Sequence, residues 1–116
     1  MAEIKIGRLS EVLAKNNGTK IEDLPFVKIK NDQIVFWSVN PTSDYVKDCK
    51  TGQKYGALAL DHMVKADFAP LLIWCIMGMP RRENCSGIEI GFLEYFSEVV
   101  VYNYISTCNQ FGKLSN

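Results

Sequence analysis

Histidine is almost missing from this 116-residue chain: His62 is the only one. Net charge is missing too, because 13 Lys and Arg balance 13 Asp and Glu. A neutral chain is neither a polycationic nucleic-acid coat nor an acidic mimic of DNA. The four cysteines, at 49, 75, 85 and 108, form no C-x-x-C pair. With one histidine to complete a set, their spacing fits neither a zinc ribbon nor a redox motif, and no metal or cofactor is expected. Met1 to Leu9 alternates charged and apolar residues without the apolar run of a signal peptide. That leads to a cytoplasmic location and free, buried thiols. The longest strongly apolar run, Phe68 to Pro80, is 13 residues. A membrane-spanning helix needs about 20, so this run is expected to be a buried core element. Repeats, low-complexity tracts and domain boundaries are also absent.

What is present is the composition of a globule, 47% hydrophobic with a mean hydropathy of -0.03. The length suits one domain, taken as 1–116. Within it, 1–25 reads as a short helical segment, 26–39 as a hairpin and 43–112 as a helical part. Leu9, Val12 and Leu13 share a face of a helix over Ile4–Asn17, stopped by Asn16-Asn17-Gly18. Thr19 to Leu24 adds a turn before Pro25. Two runs rich in β-branched and aromatic residues flank Asn31-Asp32, the sign of a tight β-hairpin. An isolated hairpin is marginal in water, so other elements must cover its apolar face.

Thr42 or Ser43 is expected to cap a helix that starts near Asp44 and runs to about Lys65. Tyr45, Cys49, Gly52, Gly56, Ala59 and Met63 recur at steps of four and three along it. Each interior glycine costs about 1 kcal/mol relative to alanine. Either close approach to another element compensates, or the helix breaks at Thr51-Gly52. Pro70 suits the first turn of a next helix over Leu71–Met79, apolar all round and hence expected to be fully buried. Ser86 and Glu89 have capping-box spacing before a last helix that buries Ile88, Phe92, Tyr95, Val99 and Tyr102 and leaves Glu89, Glu94 and Glu98 elsewhere. Gly87 and Gly91 on it would face Gly52 and Gly56. Residues 99–107 suit helix or strand, and helix through about Thr107 is the preferred reading. The fold class is therefore α+β: a hairpin against three to four α-helices, with a close small-residue crossing.

Chemistry has few candidates. His62 could act as a general base, but neighbouring Asp61 points elsewhere on a helix; the plainer reading is a surface or half-buried histidine. Cys85 precedes a helix N-terminus and follows Arg81 and Arg82, features that lower a thiol pKa; the plainer reading is a small, partly buried residue. Glu94 and Glu98 share a face, as do Asp44 and Asp48, so paired carboxylates are conceivable beside ordinary solvated charges. Lys47, Lys50 and Lys54 line one helix face and, with Arg81 and Arg82, could meet a phosphate backbone. Asp44 and Asp48 interleave with these lysines and would neutralise them locally. Gly52 to Gly56 lacks P-loop spacing.

Aromatic residues are many for so small a domain, and the core cannot hold them all. Aromatics and arginine dominate protein interfaces. Val99 to Gly112 carries no charge, so Tyr102, Tyr104 and Phe111, rimmed by Arg81 and Arg82, are the first candidates for a contact patch. The other reading places the rings in the core.

Two stretches, Asn40-Pro41-Thr42-Ser43-Asp44-Tyr45 through Gly52 to His62-Met63 and Gly87-Ile88-Glu89-Ile90-Gly91-Phe92, resemble small proteins of phages, prophages and other mobile elements. The resemblance covers about half the chain, excludes the first 25 residues and carries over no catalytic residue. It implies a compact protein that docks on host machinery, inhibitors such as anti-CRISPR proteins being one class. The expectation is a non-catalytic protein-binding module, with a protein partner, no membrane and homodimerisation open. The alternatives are a nucleic-acid-associated regulator using the lysine face and a small enzyme using His62 or Cys85.

Overall fold

The computed structural model describes residues 21–111, with side chains through residue 108. The expected helix over Ile4–Asn17 lies outside the described residues, as does the side chain of Phe111. Among the described residues the fold is α+β, one two-stranded antiparallel hairpin and three α-helices.

The described chain begins on a 3-10 turn, Ile21–Asp23, which places Ile21 fully inside the core. Strands β1 (Val27–Lys30) and β2 (Gln33–Phe36) pair in the register Val27 to Phe36 and Lys30 to Gln33. Asn31 and Asp32 between them both take positive φ, 49° and 66°. Two such residues make the mirror-image turn whose twist matches that of a hairpin. The ladder is shorter than the expected 26–39. Trp37 adopts a φ of 64°, which interrupts the ladder and ends β2, although the Ser38 N–H still donates across the hairpin to the Phe26 carbonyl at 3.1 Å. That conformation is costly for a bulky residue, and the ring's contacts offset it. Trp37 stacks on Phe26 at 4.5 Å and meets the edge of Phe92 at 4.9 Å. Its indole N–H donates to the Cys75 carbonyl at 2.7 Å.

Helix α1, Tyr45–Ala66, is continuous through both glycines. Asp44, rather than Thr42 or Ser43, is its N-cap and accepts from the Lys47 N–H at 3.1 Å. Thr42 serves a different carboxylate: its N–H and Oγ1 both donate to Asp48 Oδ1, at 3.1 and 2.8 Å. This satisfies Asp48, which is buried. Tyr45, expected on the packing stripe, is exposed. Asp67 closes the helix in a left-handed conformation.

Helix α2 spans only Leu71–Met77. Full burial is the expectation, but only Leu71 and Cys75, four apart, are fully buried; Leu72 and Trp74 pack half-buried against the core, and Ile73, Ile76 and Met77 are exposed. Two turns laid on one side of the body cannot bury a whole circumference. A second 3-10 turn, Arg82–Asn84, leads to α3, Gly87–Phe111, helical throughout the stretch that could have been strand. Ser86 N–H and Oγ donate to Glu89 Oε1 at 2.6 and 3.0 Å, while Ser86 Oγ accepts from the Ile88 N–H. The capping box takes Glu89 out of solvent, where sequence spacing had set it apart from the buried face.

Helices α1 and α3 meet backbone to backbone. A Cβ at Gly52 would strike the Ile88 carbonyl, and one at Gly91 the Cys49 carbonyl. At Gly87 it would sit 2.8 Å from the Tyr45 carbonyl oxygen, and at Gly56 2.8 Å from Tyr95. The partners ascend together, so the two helices run parallel. Ala59 continues the buried stripe on α1. Above the crossing, Phe26, Trp37, Phe92 and Phe96 form the aromatic centre of the core.

Candidate functional site

The first half of α3 is anchored by Ile88, Phe92 and Phe96, all buried. Beyond Phe96 no described residue holds it comparably. Val100 is 66% exposed, Val101 54%, Tyr102 70%, Tyr104 69% and Ile105 47%. These are large apolar side chains in a stretch without charge. A surface helix ordinarily alternates an apolar stripe with a charged face, and this one does not. Exposed apolar area of that extent makes this stretch the candidate contact surface. Tyr102, expected on the buried face of α3, is instead 70% exposed.

At the root of the free segment lies a groove of about 480 Å3 between α1, the start of α2 and α3. Leu60, Met63, Val64, Phe68, Leu72 and Phe96 line it. Sequence reasoning passed over Leu60, Val64 and Leu72. The first two fall outside the small-residue stripe of α1, and Leu72 lay in a run taken as wholly interior. The signal was Leu60 and Val64 four apart on one helix face.

Lys47, Lys50 and Lys54 are all exposed on α1. Asp48, expected to neutralise them, points inward onto Thr42, so it does not lie on their face. Arg81 and Arg82 are exposed just before α3. Gly87 abuts Tyr45, which places these arginines towards the end of the molecule where α1 begins. Tyr102 and Tyr104 lie about 22 Å further along α3, at 1.5 Å per residue. The arginines therefore do not rim the tyrosine patch.

His62 is not a surface residue. It is 4% exposed and its Nε2 has no hydrogen-bond partner. Burial lowers its pKa from 6.5, against the opposing pull of Asp23, Asp61 and Glu22. Asp61 is engaged on the surface with Lys65 at 2.9 Å and cannot orient the ring. Cys85 is also unlike a nucleophile. Its Sγ donates to the Pro80 carbonyl at 3.5 Å. Burial, then Glu89 and Glu83, raise its pKa, the reverse of the expected lowering by the arginines and the helix end. The Glu89 carboxylate already occupies that helix end. Buried Cys75 is pushed up to about 12.

The paired carboxylates are not assembled into a site. Asp44 caps α1, Asp48 is held by Thr42, and Glu94 and Glu98 are exposed on α3. Among the described residues, no group of three or more His, Cys, Asp or Glu is placed to hold a metal ion. None of the described helices is long and apolar enough to cross a membrane. Compared with protein-family models, curated proteins and solved structures, the chain matches none of them.

Proposed function

We propose that this chain is a non-catalytic protein-binding module whose contact surface is the outer half of α3. One observation carries the reading: five large apolar side chains stand exposed between Val100 and Ile105 in an uncharged stretch of helix. Buried aromatic and aliphatic contacts supply most of the free energy at protein interfaces, and Tyr is among the residues that contribute most. The resemblance of residues 40–63 and 87–92 to mobile-element proteins supports a finer version, an inhibitor that occludes a surface on a host defence complex. Occlusion needs no catalytic group. The raised thiol pKa of Cys85 and the buried, unoriented His62 accord with that.

The test is affinity capture from bacterial lysate, with mass spectrometry of what is retained. A stoichiometric protein partner, lost when Tyr102 and Tyr104 are both changed to Glu, is the expected result. Retention of no stoichiometric protein contradicts the reading. A nucleic-acid regulator is the second reading, favoured by the inward turn of Asp48 away from Lys47, Lys50 and Lys54. It requires DNA or RNA affinity that falls steeply with salt.

A further inference from the structure

We infer that the groove beside the end of α1 binds a small amphiphilic amine, an ammonium group carried on an apolar body. Its volume of about 480 Å3 falls within the roughly 300–1,000 Å3 of small-molecule sites. The walls are apolar, with Met63 and Phe96 buried and Val64 exposed at the rim. Asp67 is the one charged residue among those that line it. An apolar cleft with a single polar group that fixes orientation is the usual make-up of a small-ligand site. This site does not depend on the exposed end of α3.

Charge selects the occupant. Asp67 is the C-cap of α1, with a φ of 52° and its N–H directed at the Met63 and Val64 carbonyls. A helix C-terminus carries partial negative charge and favours a cation. The Asp67 carboxylate adds a negative charge at the same end. Among the described residues no salt bridge neutralises it. Lys65, two residues before, pairs instead with Asp61 at 2.9 Å and lines a separate cavity with His62. No lysine or arginine lines the groove. An anionic amphiphile would be repelled by both the carboxylate and the helix end. A neutral one would gain apolar burial alone. An ammonium whose alkyl chain lies along Leu60, Val64 and Leu72 gains that burial and the charge pairing together.

Amide NMR on the full chain, titrated with octylammonium, octan-1-ol and octanoate below their micellar concentrations, tests the site. The three probes share one alkyl chain and differ in charge. Octylammonium is expected to saturate, with shifts centred on residues 60–72, and to bind about threefold to fivefold more tightly than octanol. Octanoate is expected to bind most weakly. Asp67→Asn keeps a residue that tolerates left-handed backbone and should bring the amine to the level of octanol. Octanol affinity, unchanged in that variant, reports that the groove is intact. Salt at about 1 M should have the same levelling effect. Val64→Lys, at an exposed helix position, should reverse the order in favour of octanoate. Equal affinity for the three probes overturns the assignment, as does an amine preference that survives Asp67→Asn. Shifts confined to residues 100–105, or no saturation by octylammonium, overturn it as well.

Discussion

His62 ties the pH response of the fold to one buried ring. Its Nε2 is unpartnered and its folded pKa lies below 6.5. The folded state therefore favours neutral imidazole, while the unfolded chain takes up a proton near 6.5. By linkage the contribution to stability is fully present above the unfolded pKa and is lost as pH falls from there towards the folded value. Denaturant midpoints between about pH 7.5 and pH 5.5 should fall for the wild type and fall less for His62→Leu. Equal slopes would contradict the assignment. Trp37 gives a second prediction. Trp37→Phe keeps much of the stacking but orphans the Cys75 carbonyl and should cost about 1–3 kcal/mol, measured by denaturant unfolding. Neither environment was legible in the sequence. A lone histidine on a helix gives no sign of which face it takes until the 3-10 turn Ile21–Asp23 is seen to cover it. Cys85 misled for a related reason: its helix end is already occupied by Glu89.

The parallel crossing of α1 and α3 decides the architecture. In an exposed helix, glycine to alanine stabilises by about 1 kcal/mol. At Gly52 and Gly91 the sign should reverse, because the new methyl would meet a backbone carbonyl of the other helix. We expect Gly91→Ala to lose roughly 2 kcal/mol or more, with Lys54→Ala on the exposed face close to neutral. A gain of stability at Gly91 would contradict the crossing. The spacing of these glycines was readable because a helix seldom keeps two without a packing reason. The Asn31-Asp32 turn and the Ser86/Glu89 box were readable because each is local chemistry. The helix α2 was misjudged, since an all-apolar run reveals its period only where polar residues interrupt it. The early end of β2 at Trp37 was hidden as well, since it follows from contacts with Phe92 and Cys75, both far along the chain.

At the scale of the whole molecule, the core and the free end of α3 divide the apolar residues between them. Phe26, Trp37, Phe92 and Phe96 stabilise the fold; among the described residues the large side chains from Val100 to Ile105 stand outside that core. Tyr104→Ser should therefore leave unfolding midpoints within about 0.5 kcal/mol of wild type when measured on dilute, monomeric protein. Partner capture should still fall. The uncharged run was visible in the sequence, and its exposure was not, because nothing local says that the buried face of α3 stops at Phe96. In the function proposed above, this helix end, and not the lysine face of α1, is where the chain meets other proteins. A photo-crosslinking residue placed at position 104, and separately at position 54, tests that claim in bacterial lysate. Protein adducts are expected from position 104 and few from position 54. Adducts from position 54 alone, or nucleic acid in place of protein, would contradict it.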